Sequence, residues 1–339
     1  MKEFEVVLLA DAGIGNAIEA LYAVEYCIAN KIKTGIFLNR VNASFQNYLR
    51  TCYGEEVVLR SLENCKTRHL IHSFTYQEEI RIAFQNYFYI QSDNHSSKVM
   101  SETEQYLSVV QALYPSGYGC STLMLLKEER SDAVRQLSVE KKYVFYPGGS
   151  AINPTRRWPG YEQLMKLTGK ANTIWIGGKE DLDFRYSYVY PRFLGRLLSQ
   201  KFLNSKALWT FLKGFGLLRK HSFIDHPEKL ENLYIEKFSW GELVSIFKHC
   251  KKFIGNDGGL MHLAGASGAK GLALFGPTSP KKNKTYNPGI KPLLKDYPCQ
   301  PCQFGVADIQ MVNSYINCPY EVKCLKNLTP EEVIQSCND

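Results

Sequence analysis

The feature that most restricts the fold is a strand–glycine turn–helix–strand order that occurs near the N-terminus and starts again after residue 142. Glu5–Ala10 reads as a strand, and its continuous apolar stretch Val6–Ala10 is the signature of burial on both faces. A glycine-bearing turn follows, then a helical pattern from Ala17 to about Asn30, then a second strand at Thr34–Leu38. That spacing is a βαβ unit, which requires a parallel sheet. A second series opens at Tyr143–Tyr146, stops at Pro147-Gly148-Gly149, and continues through a helix at Pro159–Thr168 and a strand at Thr173–Ile176. Ser239 and Glu242 have capping-box spacing for a helix reaching about Cys250. Beyond it lie a short strand at Phe253–Ile254, a helix at Leu260–Ala266 and a strand at Gly271–Phe275. Thr329-Pro330-Glu331-Glu332 caps a last helix. The expected fold class is α/β, two Rossmann-like doubly wound domains facing a central cleft. Residues 64–121 are mixed and aromatic and yield no clear elements.

The 339 residues suit two domains. Residues 1–130 are expected to form the first and 141–325 the second, with 326–339 a terminal helix packing back on the first. Hydrophobic residues at 45% and charged residues at 22% exclude extensive disorder. No stretch reaches the roughly 18 uncharged apolar residues of a membrane span. The start, MKEFEVVLLADAG, carries acids and runs directly into a strand, unlike a signal peptide. A cytoplasmic location is the expectation, and the ten cysteines then read as thiols or metal ligands rather than disulfides.

Three loops carry residues suited to an anionic ligand. Asp11-Ala12-Gly13-Ile14-Gly15-Asn16 joins the first strand to the first helix. Two glycines allow a tight turn and close backbone approach, and the helix start favours anions. Ile18 stands where a dinucleotide fingerprint needs its third glycine, which argues against NAD or FAD. Asn256-Asp257-Gly258-Gly259-Leu260-Met261-His262 occupies the same kind of junction in the second half, followed by the loop Gly276-Pro277-Thr278-Ser279-Pro280. Its glycines bare N–H groups for a pyrophosphate, Asp257 can accept from sugar hydroxyls, and His262 lies one turn into the helix. Gly148-Gly149-Ser150 with Thr155-Arg156-Arg157-Trp158-Pro159 is the third, where an arginine can clamp phosphate oxygens without a metal.

Taken together, Gly13-Ile14-Gly15-Asn16, Pro147-Gly148-Gly149-Ser150, Arg156-Arg157-Trp158-Pro159, Asn256–Ala264 and Gly276-Pro277-Thr278 resemble glycosyltransferase family 9, the ADP-heptose:lipopolysaccharide heptosyltransferases. The resemblance covers both ends and most of the second half, and is thin from Asn64 to Lys142. It implies a GT-B fold, an acceptor on the first domain, and a nucleotide-diphosphate sugar on the second. It also implies inversion at the anomeric carbon and no cofactor or metal for catalysis. By this resemblance Ser150, Arg156, Asp257, Gly258, Gly259, Leu260, His262 and Thr278 contact the donor, while Gly13 and Gly15 shape the acceptor loop. The family's catalytic base is the aspartate after Gly-x-Gly. This chain has Asn16 there, which cannot take a proton, so Asp11 becomes the expected base.

Two features lie outside those loops. Cys299-x2-Cys302 with Cys318 and Cys324 can hold a structural zinc or iron, and resembles a cysteine segment that family members carry before the final helix. From Phe184 to Ile224 there is no acid, but eight cations among many aromatic residues; these account for the whole net charge of +8. Apolar residues from Leu194 to Phe215 recur at nearly helical spacing, as in a helix lying on an anionic membrane surface. A helical insertion packed on the protein would read alike, and no nucleic-acid motif accompanies the segment. The expected activity is transfer of a heptose or other hexose-type sugar to a lipopolysaccharide or other lipid-linked glycan, peripherally at the inner membrane of the bacterial cytoplasm. The alternatives are a protein acceptor, or an inactive nucleotide-sugar-binding scaffold, which Asn16 would suit.

Overall fold

The computed structural model describes residues 2–11, 13–63, 65–72, 87–89, 100–116, 122–149, 154–178, 185–188, 218–221, 233–301, 320 and 322–338. In the first domain, β1 (Lys2–Asp11), β2 (Thr34–Asn39), β3 (Val58–Leu59), β4 (Cys65–His72) and β5 (Tyr87–Tyr89) form one parallel sheet in the order β3-β2-β1-β4-β5. β1 is central, and Val6 through Ala10 are buried on both faces, as a two-sided parallel strand requires. Helices α1 (Ile14–Ala29), α2 (Ala43–Tyr53) and α3 (Glu102–Leu113) belong to this half, and α1 packs along α3.

A short helix α4 (Asp132–Gln136) leads into the second domain, followed by β6 (Tyr143–Tyr146), α5 (Tyr161–Thr168) and β7 (Thr173–Gly177). The chain resumes with β10 (Leu233–Ile235), α6 (Trp240–His249), β11 (Lys252–Asn256), α7 (Gly259–Ala266), β12 (Gly271–Leu274), α8 (Pro280–Asn283) and β13 (Ile290–Leu293). The sheet order β10-β7-β6-β11-β12-β13 is again wholly parallel. Both sheets therefore reverse winding at a switch point, between β1 and β4 in one and between β6 and β11 in the other. The Ser239–Glu242 capping box is present as the sequence predicts.

Two short helices end the chain, α9 (Lys323–Lys326) and α10 (Pro330–Asn338). The expectation that the last helix returns to the first domain is wrong. α10 packs on α5 and β12, with Val333 and Cys337 in one apolar cluster with Trp158, Tyr161 and Leu274. The buried Trp158 indole N–H also donates to Leu328 O at 2.9 Å, fixing the approach to that helix. Burying those rings outweighs any pull toward the other domain. Between β7 and β10 only an antiparallel ribbon is described, β8 (Arg185–Tyr188) with β9 (Leu218–His221). The helical stripe expected between Leu194 and Phe215 lies outside the described residues. Among the described residues no helix is long and apolar enough to cross a membrane.

Candidate functional site

Ligands of open parallel sheets bind beyond the carboxyl ends of strands at the switch points. The Gly13–Asn16 loop leaves β1 at one switch point, and the Asn256–Gly259 loop leaves β11 at the other. The structure brings these two loops together. A Cβ on Gly15 would lie 3.2 Å from His262 Cδ2, and one on Gly259 would lie 3.2 Å from Ile14 Cβ. Gly13 has φ +111°, a left-handed conformation that favours glycine, and it begins α1.

Helix capping separates these two helices from most others. Asn42 caps α2, Ser101 caps α3 and Ser239 caps α6 through side-chain oxygens, while the Thr329 hydroxyl accepts from Glu332 N at the start of α10. α1 and α7 begin at Gly13 and Gly258 with no side-chain cap and no acid in the first turn. Their first N–H groups are thus left to water or an anion.

On the second domain, a buried asparagine organises the loops. Asn256 Nδ2 donates to Pro147 O at 2.6 Å and Gly148 O at 3.0 Å, while its Oδ1 accepts from Trp158 N at 3.1 Å and Tyr161 Oη at 3.2 Å. One side chain ties the β6 loop, the start of α5 and the β11 loop together. Arg157, 2% exposed, is turned inward and donates to Gly149 O at 2.6 Å. Arg156 instead reaches Asp257, with Nη1 3.3 Å from Oδ2, and Asn283 Nδ2 donates to the same oxygen at 3.0 Å. Thr278 is 2% exposed, and its hydroxyl has no partner among the described residues. Leu260 is half-buried against the main core. Burial pushes the His262 imidazole down to about 4, against the pull of Asp257 and with the push of Arg156, so the ring is neutral at pH 7.

On the first domain, Asn16 Nδ2 donates to Glu102 Oε2 at 2.5 Å, linking the start of α1 to the start of α3. Glu19 is one helical turn beyond Asn16 and buried. Burial raises its carboxyl well above the ordinary range, and the charges of Glu102 and then Asp257 raise it further, while Lys282 lowers it. Lys282, on α8, is itself held down by burial and favoured by Glu102 and Glu19. The cleft therefore holds Glu19 and Glu102 from one domain, and Arg156, Asp257, His262 and Lys282 from the other.

The sequence reading did not single out Glu19, Glu102, Lys282 or the internal role of Asn256. The i, i+3 spacing of Asn16 and Glu19 and the Ser101–Glu104 capping box were available signals for the two acids. Asp11 ends β1, paired in register with Asn39. Ser150, Cys302 and Cys318 lie outside the described residues. Of the expected metal ligands, Cys299 and Cys324 share one apolar cluster.

Two parallel Rossmann-like sheets with switch-point loops facing across a cleft define a GT-B protein. Comparison with known proteins narrows that class. Residues 231–310 match the sequence model of glycosyltransferase family 9 (heptosyltransferase). Over 92 residues the chain is 34% identical to lipooligosaccharide heptosyltransferase 2 of Campylobacter jejuni, a stretch covering 26% of this chain and 25% of that protein. The match thus spans about a quarter of that curated relative. The fold is similar to E. coli ADP-heptose lps heptosyltransferase II, with TM-score 0.58, 15% identity, and 98% and 96% of the two chains covered. It is also similar to E. coli heptosyltransferase WaaC with ADP, at TM-score 0.53 and 12% identity over 98% of each chain. The iron-containing dodecameric glycosyltransferase TibC of enterotoxigenic E. coli aligns with TM-score 0.56 and 13% identity, over 99% of this chain and 75% of that one. The chain is therefore heptosyltransferase-like: it resembles family 9 by sequence over residues 231–310 and GT-B heptosyltransferases by fold over nearly its whole length.

Proposed function

We propose that the protein is an inverting glycosyltransferase that moves a heptose or other hexose-type sugar from a nucleotide-diphosphate sugar to a lipopolysaccharide or other lipid-linked glycan. The observation that carries this reading is the meeting of two uncapped, glycine-led helix starts beside Arg156 and Lys282. The α7 start would take the diphosphate, and the two cations would offset charge growing on the leaving group without a metal. Asp257, fixed by Arg156 and Asn283, would present its remaining oxygen to sugar hydroxyls. Asp11 and Glu102 compete for the role of base on the facing domain. The match of the donor-side segment to heptosyltransferases makes ADP-heptose the first donor to test.

The test is a transfer assay with ADP-heptose and other nucleotide sugars, run with a chelator present, on wild type and Asp257→Ala. Chelator-resistant transfer by wild type, with Asp257→Ala binding donor at least tenfold more weakly, is expected. No turnover of any donor would reject the enzyme reading and favour the scaffold to which Asn16 is suited. The acid-free segment 184–224 would hold the enzyme near its acceptor, each cation contributing roughly 1 kcal/mol at an anionic bilayer. Sedimentation should show binding to anionic vesicles that weakens with salt; equal, negligible binding to anionic and neutral vesicles would end that part of the proposal.

A further inference from the structure

We propose that Glu102 is the general base of the transfer, aligned by Asn16, so that the proton-accepting group sits on α3 rather than on the glycine loop. The proposal rests on the transfer reading above and adds the residue that takes the proton. An amide at position 16 cannot accept a proton, but it can donate, and its Nδ2 is spent on Glu102 Oε2 at 2.5 Å. Two residues 86 apart in sequence thus place a carboxylate beside the start of α1. Glu102 is fixed there by its own helix end. It is the first residue of α3, inside a capping box in which Ser101 Oγ accepts from Glu104 N at 3.3 Å and Glu104 Oε2 accepts from Ser101 N at 2.7 Å. A helix N-terminus favours a carboxylate, and the packing of α1 on α3 leaves Glu102 only 6% exposed.

The neighbouring charges fit the role. Glu19, the nearer rival on α1, is raised by burial and by the charge of Glu102, so a proton held on it relieves the pair of a second negative charge. Asp257, on the opposite side of the cleft, is committed to Arg156 and Asn283 of its own domain. Lys282 faces Glu19 and Glu102 from the other domain, so a cation stands near the pair. In the reaction, the acceptor hydroxyl oxygen forms a bond to the anomeric carbon as the bond from that carbon to the diphosphate oxygen breaks. The bonding pair leaves with the nucleoside diphosphate, and the hydroxyl proton passes to a carboxylate oxygen of Glu102.

The experiment is steady-state transfer and donor binding on wild type, Glu102→Gln, Asp11→Asn, and Glu102→Gln combined with Asn16→Asp. Glu102→Gln should lower kcat by roughly 10²–10⁴-fold, with donor Kd changed less than about threefold. Adding Asn16→Asp should restore at least tenfold, because it puts a carboxylate back beside the acceptor; a purely structural role for Glu102 predicts no such rescue. If Glu102→Gln fails to fold, Glu102→Asp keeps the charge but withdraws the oxygen, and should lower kcat while leaving Kd alone. A Glu102 variant that is folded and within threefold of wild type, or loss of turnover in Asp11→Asn with Glu102→Gln active, overturns the proposal. Wild type inert toward every donor overturns the transfer reading itself, a distinguishable result.

Discussion

The two lips of the cleft begin alike, each a parallel strand, a glycine turn and a helix without a side-chain cap, yet they are stabilised in opposite ways. On the second-domain lip, the deeply buried Asn256 is neutral and has both its amide hydrogens and its acceptor oxygen engaged. Asp257 there is paired with Arg156. On the facing lip, Glu19 and Glu102 are buried near each other, and one of them is driven toward its protonated form. A fully satisfied polar centre fixes geometry, which suits holding a diphosphate. Crowded carboxylates cost stability and tune proton affinity, which suits activating a hydroxyl. In the proposed reading, the second domain positions the donor and the first takes the proton.

The comparison can be broken most forcefully at Asn256. Asn256→Ala removes four hydrogen bonds and strands buried partners, so it should destabilise the second domain by roughly 3 kcal/mol or more and abolish donor binding. Urea unfolding and donor titration check this; an unchanged midpoint would show that the loops hold without it. The next effect is a pH asymmetry between the lips. His262 has a folded-state pKa of about 4 against an ordinary 6.5, so its stabilising effect is complete above pH 6.5 and is lost as pH falls toward 4. The loss is at most about 3 kcal/mol, and it should vanish in His262→Gln. Glu19 runs the other way. Its raised pKa favours the fold at low pH and weakens it as pH rises, so Glu19→Gln should raise Tm at pH 7 and gain little at pH 4. Thermal melts of both variants across pH 4–8 would show the two opposite slopes, or refute the contrast if both variants track wild type.

Much of the second-domain lip was legible in the sequence, because its residues act near their neighbours in the chain. The Asn256–His262 run announces a strand, a turn and a helix start, and Ser239 and Glu242 spell a cap that forms. The facing lip was legible only in its backbone. The Gly13–Asn16 turn can be read from glycines, but the Asn16–Glu102 contact bridges 86 residues through a region with no clear periodicity. Local pattern cannot express a pairing set by the packing of α1 on α3. The terminal helix failed for the same reason. Its cap is local and was readable, whereas its docking depends on Trp158 and Tyr161, far away in sequence.

The central claim, binding on one lip and proton transfer on the other, is tested most directly by measuring donor Kd and transfer kcat for Asp257→Ala and Glu102→Gln side by side. The account predicts that Asp257→Ala weakens donor binding at least tenfold, whereas Glu102→Gln leaves Kd within about threefold and lowers kcat by roughly 10²–10⁴-fold. Equal losses of donor affinity in both variants, or full turnover in Glu102→Gln, would contradict it.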